Sequence, residues 1–234
     1  MRFILLLLIL VTSSCANERV LQLPEIEHAT VTEVLDVSPA YIFYDEKQPD
    51  STLLNRKNLI STTNWLVNVD KRLTLRQAMP HIKFLQDKKR NAEMHKNENA
   101  KNYFSCNDTS ISNLGFIEFT DINYEIITLE KDGISEHNAK QHLTDDSLIS
   151  EKSIPANYLI FDSQNQANAE NLITNMLKSL EDSIPFDKNI KLMQFSFDFY
   201  YDSELSFQDY ISIKSKIQTI AIEKVIIETN EFIY

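Results

Sequence analysis

An apolar pattern that occurs twice along the chain limits the folds open to these 234 residues. The segment Pro39–Asp45 (PAYIFYD) parallels Pro155–Asp162 (PANYLIFD), and each is an aromatic and β-branched run ending in Asp, which is the pattern of a buried strand. Further along, Val69–Gln77 (VDKRLTLRQ) parallels Tyr201–Asp209 (YDSELSFQD). Because both pairs occur in the same order, the sequence predicts two copies of one structural unit.

The second pair of segments has the pattern of a helix start. Thr74 and Ser206 occupy N-cap positions, where a hydroxyl accepts a hydrogen bond from an amide of the first turn. Gln77 completes a capping box, and Asp209 at the matching place suits the helix dipole. Apolar residues follow at helical spacing: Leu75, Ala78, Met79, Ile82 and Leu85 in the first copy, and Phe207, Tyr210, Ile211 and Ile217 in the second. We therefore expect one helix after each cap.

Each copy also has a strand before its cap, at Trp65–Val69 and at Leu192–Tyr200, and room for an earlier helix. The residues that suit the earlier helix are Leu53, Leu54, Lys57 and Ile60 in the first copy, and Ala169, Leu172, Ile173, Met176, Leu177 and Leu180 in the second. A looser match between Gly115–Thr120 and Lys224–Thr229 supplies a last strand. The sequence thus predicts an α/β (α+β) fold of two related small βαβαβ sandwich modules, each a small sheet covered by helices on one face. About 80 residues are enough for each to bury one modest core.

Polar segments set the predicted boundaries. Residues 1–15 form a signal peptide, and 16–127 form the first module with a polar insertion near 87–113. Residues 128–154 are polar, weakly periodic and acidic, and are predicted to be a linker. The second module is predicted to span 155–234.

The N-terminus has the layout of a secretory signal. Arg2 precedes the apolar run Phe3–Val11, and small residues precede Cys15. The apolar run is about half the roughly 20 residues that a membrane-spanning helix needs. Cys15 is placed like the cysteine of a bacterial lipobox, which becomes the lipidated first residue of the mature chain, although Thr12 stands where Leu, Val or Ile is usual. We expect an exported, lipid-anchored protein in the periplasm or at the outer membrane; ordinary cleavage and a soluble product is the alternative.

Charge and glycine content exclude binding of nucleic acid, a glycine-rich phosphate-binding loop and one kind of nucleophile site. The formal net charge of −11 at pH 7 opposes nucleic acid, since phosphate binding needs clustered Lys and Arg. With only 2 glycines, the chain has no phosphate-binding glycine-rich loop and no glycine elbow for a nucleophile. No cofactor is predicted.

Histidines and strand-end acids are the candidates for chemistry. His137 and His142, beside Asp145 and Asp146, have the composition of a weak metal site, but a solvated loop is the favoured interpretation and no metal site is predicted. Strand-end acids occur in catalytic sites and also in turns. Four of them occupy equivalent places in the two copies: Asp45, Asp70, Asp162 and Asp202. Because turns use Asp to bind backbone amides, we favour a structural role, predict no catalytic residue and expect no enzyme.

An aromatic run before the second cap has two interpretations. Alternation along Phe195, Phe197 and Phe199, followed by Tyr200 and Tyr201, favours a strand with one face in the core. The alternative is an aromatic surface that stacks on sugar or pairs with a partner strand. The candidate partner-binding residues are Phe197, Phe199, Tyr201, Phe232 and Tyr234.

The order of elements resembles the periplasmic domain of the ExbD/TolR family, which belongs to proton-driven motors that energise outer-membrane processes. Val69–Lys71 matches the family's strand ending of the Ala-Asp-Lys kind. Ser206 and Tyr210 match its capped helix with an early aromatic, and Lys224–Ile227 matches its last strand. Val20–Pro24 resembles the Leu-Pro segment that follows the family's membrane helix.

The chain departs from the motor members of that family at its N-terminus. Phe3–Val11 contains no acid to carry protons and is too short to span a membrane. The resemblance therefore implies a periplasmic docking module, duplicated and tied to lipid.

Two functions remain open from the sequence. The first is a non-enzymatic bacterial envelope lipoprotein that acts through contact with envelope proteins, or with a second copy of itself, as an accessory to a proton-driven transport or motility machine. The alternative is an exported soluble protein that binds a small molecule or glycan between its modules. A well-packed junction with an exposed sheet edge favours the first, and an apolar cleft lined by the aromatic run favours the second.

Overall fold

The computed structural model describes residues 19–92, 97–127, 157–183, 193–219 and 225–234. The predicted signal peptide, Cys15, and the predicted linker with His137 and His142 lie outside the described residues. The elements in chain order are β1 (Glu25–Ile26), β2 (Val37–Tyr44), β3 (Thr52–Asn55), β4 (Asn64–Val69), α1 (Leu75–Arg90), β5 (Asn102–Asp108), β6 (Asn113–Glu118), β7 (Asn123–Ile126), β8 (Asn157–Phe161), α2 (Ala169–Ser183), β9 (Met193–Tyr201), α3 (Phe207–Thr219) and β10 (Val225–Ile233).

Two sheets hold these strands, and the predicted α/β (α+β) class is confirmed. In the first sheet β2, β4 and β5 are parallel neighbours, with β3 antiparallel to β2, β6 antiparallel to β5, and the short β1 parallel to the end of β5. The second sheet has the order β8-β9-β10-β7, and all of its described strands are parallel. Each sheet therefore contains three parallel strands in chain order with a helix between the second and third. The duplication of one unit agrees with this arrangement but stays a prediction.

Both predicted N-caps and the predicted capping box of α1 are present, α3 has a capping box as well, and both helices begin where the sequence placed them. The Gln77 amide donates to Thr74 Oγ1 at 3.4 Å, and the Thr74 amide donates to Gln77 Oε1 at 2.9 Å. In α3 the Asp209 amide donates to Ser206 Oγ at 3.1 Å, and the Ser206 amide donates to Asp209 Oδ2 at 3.2 Å. Each cap thus satisfies amides that a helix start leaves without an intrahelical partner.

The two helix starts also pair with each other, because Thr74 and Ser206 form an antiparallel β-bridge. Four backbone hydrogen bonds join the segments: Leu75 N to Leu205 O (2.9 Å), Phe207 N to Leu73 O (2.7 Å), Arg76 N to Ser203 O (2.9 Å) and Gln208 N to Lys71 O (3.3 Å). We call residues 71–76 and 203–208 the helix-start bridge. Each bond has a counterpart when the two predicted copies are exchanged, which is the pattern of a local twofold axis.

One core lies beneath both sheets, so the prediction of a separate core for each module is wrong. Phe104 of β5 stacks on Phe119 with ring centroids 3.9 Å apart. The same ring meets Phe207 edge-on at 5.3 Å and Tyr210 at 6.3 Å, both on α3 of the other half. Because small units bury a small fraction of their surface, sharing one core stabilises both halves.

The helix predicted around Leu53 to Ile60 is also wrong, because β3 occupies Thr52–Asn55. β3 follows a short 3-10 turn at Pro49–Ser51 and pairs with β2 as an antiparallel hairpin. Two adjacent leucines fit one helix face or the two faces of a strand equally well. Pairing with β2 decides between these possibilities.

The predicted insertion near 87–113 contains the end of α1 and all of β5. β5 is the third parallel strand of the first sheet, and Gly115–Thr120, predicted as that strand, forms most of its antiparallel neighbour β6. The polar composition of β5 conceals it in the sequence. Asn102, Ser105 and Asp108 are all buried, and hydrogen bonds satisfy Asn102 and Asp108.

β7 precedes the predicted module boundary at residue 127 but lies in the second sheet. Asn123–Ile126 pairs in parallel with Asn230–Ile233 of β10. The second sheet therefore draws on residues from the predicted first module. A four-residue segment of mixed polarity carries no sequence signal that specifies its partner.

Gly115 lies at a point where two chain segments approach too closely for a side chain. A Cβ atom at this position would lie 2.5 Å from the Cβ of Ala29 and 3.1 Å from Cδ1 of Ile26. Real Cβ atoms do not approach so closely, so β6 needs glycine here for packing.

We predict that Gly115→Ala lowers the free energy of unfolding by about 1–3 kcal/mol, the usual cost of overpacking a core. The double variant Gly115→Ala with Ala29→Gly removes the clashing methyl group and should recover most of the loss. Urea denaturation of the wild type, the two single variants Gly115→Ala and Ala29→Gly, and the double variant measures both effects. Equal stability of Gly115→Ala and wild type would contradict the close approach.

Candidate functional site

The strand-end acids serve turns, so their predicted capping role is confirmed. Asp45 accepts the Lys47 amide at 3.1 Å, and Asp202 accepts the Glu204 amide at 2.9 Å. Asp162 accepts two amides in the same way, at 2.9 and 3.0 Å. These are the hydrogen bonds of Asx turns.

Asp70 is the most fully engaged of the four acids. Arg72 donates to it from Nε at 2.8 Å and from Nη2 at 2.7 Å, and the Gln22 amide donates at 3.2 Å. Burial alone raises the pKa of Asp70, but these hydrogen bonds outweigh it and hold the pKa below its ordinary value. Asp70 therefore fastens the N-terminal segment to the end of β4.

Two residues of the aromatic run of β9 belong to the core. Phe199 and Tyr201 are fully buried, so neither is available to a partner, and the core interpretation holds for them. The backbone of Phe197 pairs with Asn157 and Thr229, but its side chain lies outside the described structure. The alternative aromatic surface therefore loses two of its five residues.

The other two candidates of this surface lie at the C-terminus, which is fastened in the second sheet. Phe232 is half-buried and stacks on Tyr200, with ring centroids 4.7 Å apart. The Tyr234 amide donates to the Tyr201 carbonyl at 3.1 Å, and the Tyr234 carbonyl accepts the Ser203 amide at 2.8 Å. The C-terminal segment ends β10, the last strand in the chain. In the second sheet β10 lies between β9 and β7.

A buried polar network joins α3 to two strands of the second sheet. Lys214 Nζ of α3 lies 2.5 Å from Glu231 Oε1 of β10, and Tyr210 donates to Glu231 Oε2 at 2.6 Å. The hydroxyls of Tyr210 and Tyr124 are 3.0 Å apart, which connects the network to β7. Burial lowers the pKa of Lys214 and raises the pKa values of Tyr124 and Tyr210. These contacts fasten α3 to β10 and β7 of the second sheet.

We predict that Lys214→Met lowers the free energy of unfolding by about 3–5 kcal/mol, because it leaves the Glu231 carboxylate buried without its cation. The double variant Lys214→Met with Glu231→Gln should lose less than the single variant. Urea denaturation of the four proteins gives the coupling energy.

Two tyrosine variants provide a matched control. Tyr210→Phe should cost about 1.5–3 kcal/mol, because it removes a hydrogen bond to a charged group. Tyr201→Phe should be close to neutral, because the Tyr201 hydroxyl has no hydrogen-bond partner among the residues that the structure describes. Equal losses of stability in Tyr210→Phe and Tyr201→Phe would contradict the network. So would a double Lys214 and Glu231 variant whose loss equals the sum of the losses of the two single variants.

An open groove of about 550 Å³ lies beside the junction, between β1 and the helices α2 and α3. Its charged side chains belong to Glu25, Glu27, Glu170 and Lys216, with His28 nearby. Three of these four already form ion pairs: Lys216 pairs with Glu170 at 3.4 Å, and Glu25 pairs with Lys71 at 2.6 Å. No residue of the aromatic run is among the side chains that line it, so it is not the apolar cleft expected of the alternative function.

β3 lies at one end of the first sheet, among the strands that the structure describes. Among the described strands it pairs only with β2, and its four side chains are half-buried. Thr52 Oγ1 lies 3.1 Å from Nε2 of His81 on α1, so Thr52 and Leu54 face the helix. Leu53 lies directly opposite Phe43, and both therefore face the other side of the sheet.

A basic groove of about 560 Å³ runs along this edge; its described lining residues are Arg19, Leu53, Leu54, Asn55, Arg56 and Lys57. Three of the six carry positive charge and none is acidic. The Arg56 guanidinium lies 4.9 Å above the ring of Phe84, and Arg19 Nε lies 3.4 Å from Asp45. We call this the basic edge groove. Sequence reasoning missed it because Leu53, Leu54 and Lys57 were assigned to a helix.

Other candidate chemistry finds no structural support within the described ranges. No group of three His, Cys, Asp or Glu residues there is arranged to hold a metal ion. His81 is half-buried. Burial lowers its pKa, and the negative charge of Asp50 raises it by less. Cys106 is a free, buried cysteine whose pKa is raised by burial. None of the described helices is both long and apolar enough to cross a membrane.

Comparison of the chain with protein-family models, with curated proteins and with solved structures finds no match in any of the three.

Proposed function

We propose that this protein is a non-enzymatic bacterial envelope lipoprotein that acts through protein–protein contact. The observation that carries the proposal is a core shared by the two halves, combined with an outer strand, β3, that has a basic groove along its edge. The buried side chains of Lys214, Glu231 and Tyr210 are hydrogen-bonded to one another, and the strand-end acids serve turns. Recognition at a sheet edge uses backbone groups and needs no catalytic side chains.

The proposed lipid anchor and the edge are close along the chain. Arg19 in the basic edge groove follows Cys15 by four residues, and four residues span at most about 14 Å. A lipid on Cys15 would therefore hold the β3 edge near the membrane surface. This geometry supports contact with the periplasmic part of a membrane machine. The resemblance to the ExbD/TolR family makes a proton-driven transport or motility complex the proposed setting.

The alternative, a soluble exported binding protein, is supported by the groove between β1, α2 and α3. That groove is large enough for a small ligand, but three of its four charged side chains already form ion pairs. The proposed lipoprotein function therefore has the stronger support.

We predict that the mature wild-type protein enters the detergent phase on detergent phase partitioning, whereas Cys15→Ser stays in the aqueous phase. The physical reason is that acyl chains gain about 0.8 kcal/mol for each buried CH₂ group. Cys106→Ala is the matched control, because Cys106 is buried in the core, and it should partition like the wild type. Equal partitioning of wild type and Cys15→Ser would remove the anchor.

The contact itself is tested by purifying the tagged lipoprotein from solubilised membranes of the native host. We expect a defined envelope protein at constant stoichiometry with wild type, and much less of it with Cys15→Ser. Native mass spectrometry of the purified protein distinguishes the alternative. A bound small molecule with no protein partner would contradict the proposal and support the alternative.

A further inference from the structure

We infer that the β3 edge binds an extended segment of a partner protein that carries acidic side chains and adds to the first sheet as a further strand. The inference rests on the proposed function, which requires contact with a protein but does not specify where the contact is made or with what chemistry.

The position of β3 in the sheet provides the backbone part of this recognition. Every second residue of an outer strand directs its N–H and C=O groups away from the sheet, where they can pair with another strand. Within the part of the chain that the structure describes, β2 is the one strand paired with β3. A partner segment at this edge gains main-chain hydrogen bonds whatever its sequence, and side chains then set its specificity.

The charges along the groove specify an acidic partner. Arg19, Arg56 and Lys57 line it in a chain whose formal net charge is −11. The groove is thus opposite in sign to the protein as a whole, which disfavours a basic segment. Contact with the exposed ring of Phe84 holds the Arg56 guanidinium in place, so less side-chain entropy is lost on binding. Asp45 pairs with Arg19 at 3.4 Å, so an incoming acid competes for that cation.

The sheet face next to the edge specifies an apolar side chain. Leu53 lies opposite Phe43, and the rings of Phe43 and Tyr41 stack with centroids 5.8 Å apart. All three side chains are half-buried and lie on the face away from α1. A strand added beside β3 places alternate side chains on this face, where an apolar residue opposite Leu53 extends the row. The fitting segment therefore alternates apolar and acidic residues.

The shape of the groove favours a protein segment over a lipid surface. Leu53 and Leu54 are half-buried along a concave edge, whereas contact with a flat bilayer needs side chains that protrude. An extended chain enters such a groove and reaches the backbone of β3.

The test uses the full chain with Cys15→Ser and a labelled, end-capped seven-residue peptide that alternates glutamate and valine. Fluorescence anisotropy should show saturable binding that weakens by about tenfold or more when Arg56→Glu and Lys57→Glu are combined. The control Lys88→Glu with Lys178→Glu changes the net charge equally at exposed residues that do not line the groove, and should bind like the parent. Thermal unfolding of each variant verifies that it is folded.

Two further probes separate strand addition from simple attraction of charges. The same peptide with every backbone nitrogen methylated keeps its side chains but loses its donors, and should not bind. A peptide with lysine in place of glutamate should not bind either. Equal binding of the methylated peptide, or an equal loss in the two charge-reversal variants, would overturn the inference.

Two further experiments test whether the groove binds a membrane instead of a protein, and separate failure of this inference from failure of the proposed function. The same chain is also mixed with vesicles of equal parts phosphatidylglycerol and phosphatidylcholine. If it binds these vesicles but not the peptide, and loses the vesicle binding when Arg56 and Lys57 are reversed in charge, the groove is a membrane contact and the inference is overturned. The lipidated protein with Arg56→Glu and Lys57→Glu should lose its envelope partner in the purification above. Recovery of that partner unchanged would overturn the inference while leaving the proposed function in place.

Discussion

The pairing of two helix starts is the interaction on which the rest of this structure depends. Thr74 and Ser206 cap their helices and also form the β-bridge between the two halves. Because both helices start at this bridge, α3 lies where Phe207 and Tyr210 reach Phe104 of the first sheet. One core then serves two sheets that are each small. Loss of the bridge would expose aromatic surface on both halves, so we expect neither half to be stable alone.

The same arrangement explains where polar chemistry is available. The buried polar groups of Lys214, Glu231 and Tyr210 are bound to each other, and Asp70 is bound to Arg72 in a turn. Such groups stabilise and specify the packing because an unpaired buried polar group is costly. The recognition that we propose therefore takes place at the periphery. There the basic edge groove combines backbone groups of β3 with positively charged side chains, in a chain whose net charge is negative.

The parts of the fold that the sequence predicted correctly are those with local causes. The starts of α1 and α3 follow from a cap residue, its partner three positions on and an apolar stripe, all within one or two helical turns. The turn role of the strand-end acids is equally local. The parts that were missed depend on partners distant in the sequence. β3 was assigned to a helix, β5 was taken for a polar insertion, and the basic edge groove went unnoticed because it exists only once β3 is a strand at the end of a sheet.

The sequence by itself determined the class of fold, the places where two helices start and the structural use of four aspartates, since each is decided by neighbours within a few residues. It also provided the grounds for expecting export and a lipid on Cys15. Only the tertiary structure decided that the two halves share one core, that β7 joins the second sheet and that β3 lies at an edge. Strand pairing and burial are settled between residues that can be more than a hundred positions apart, and a short strand of mixed polarity carries no information about its partner.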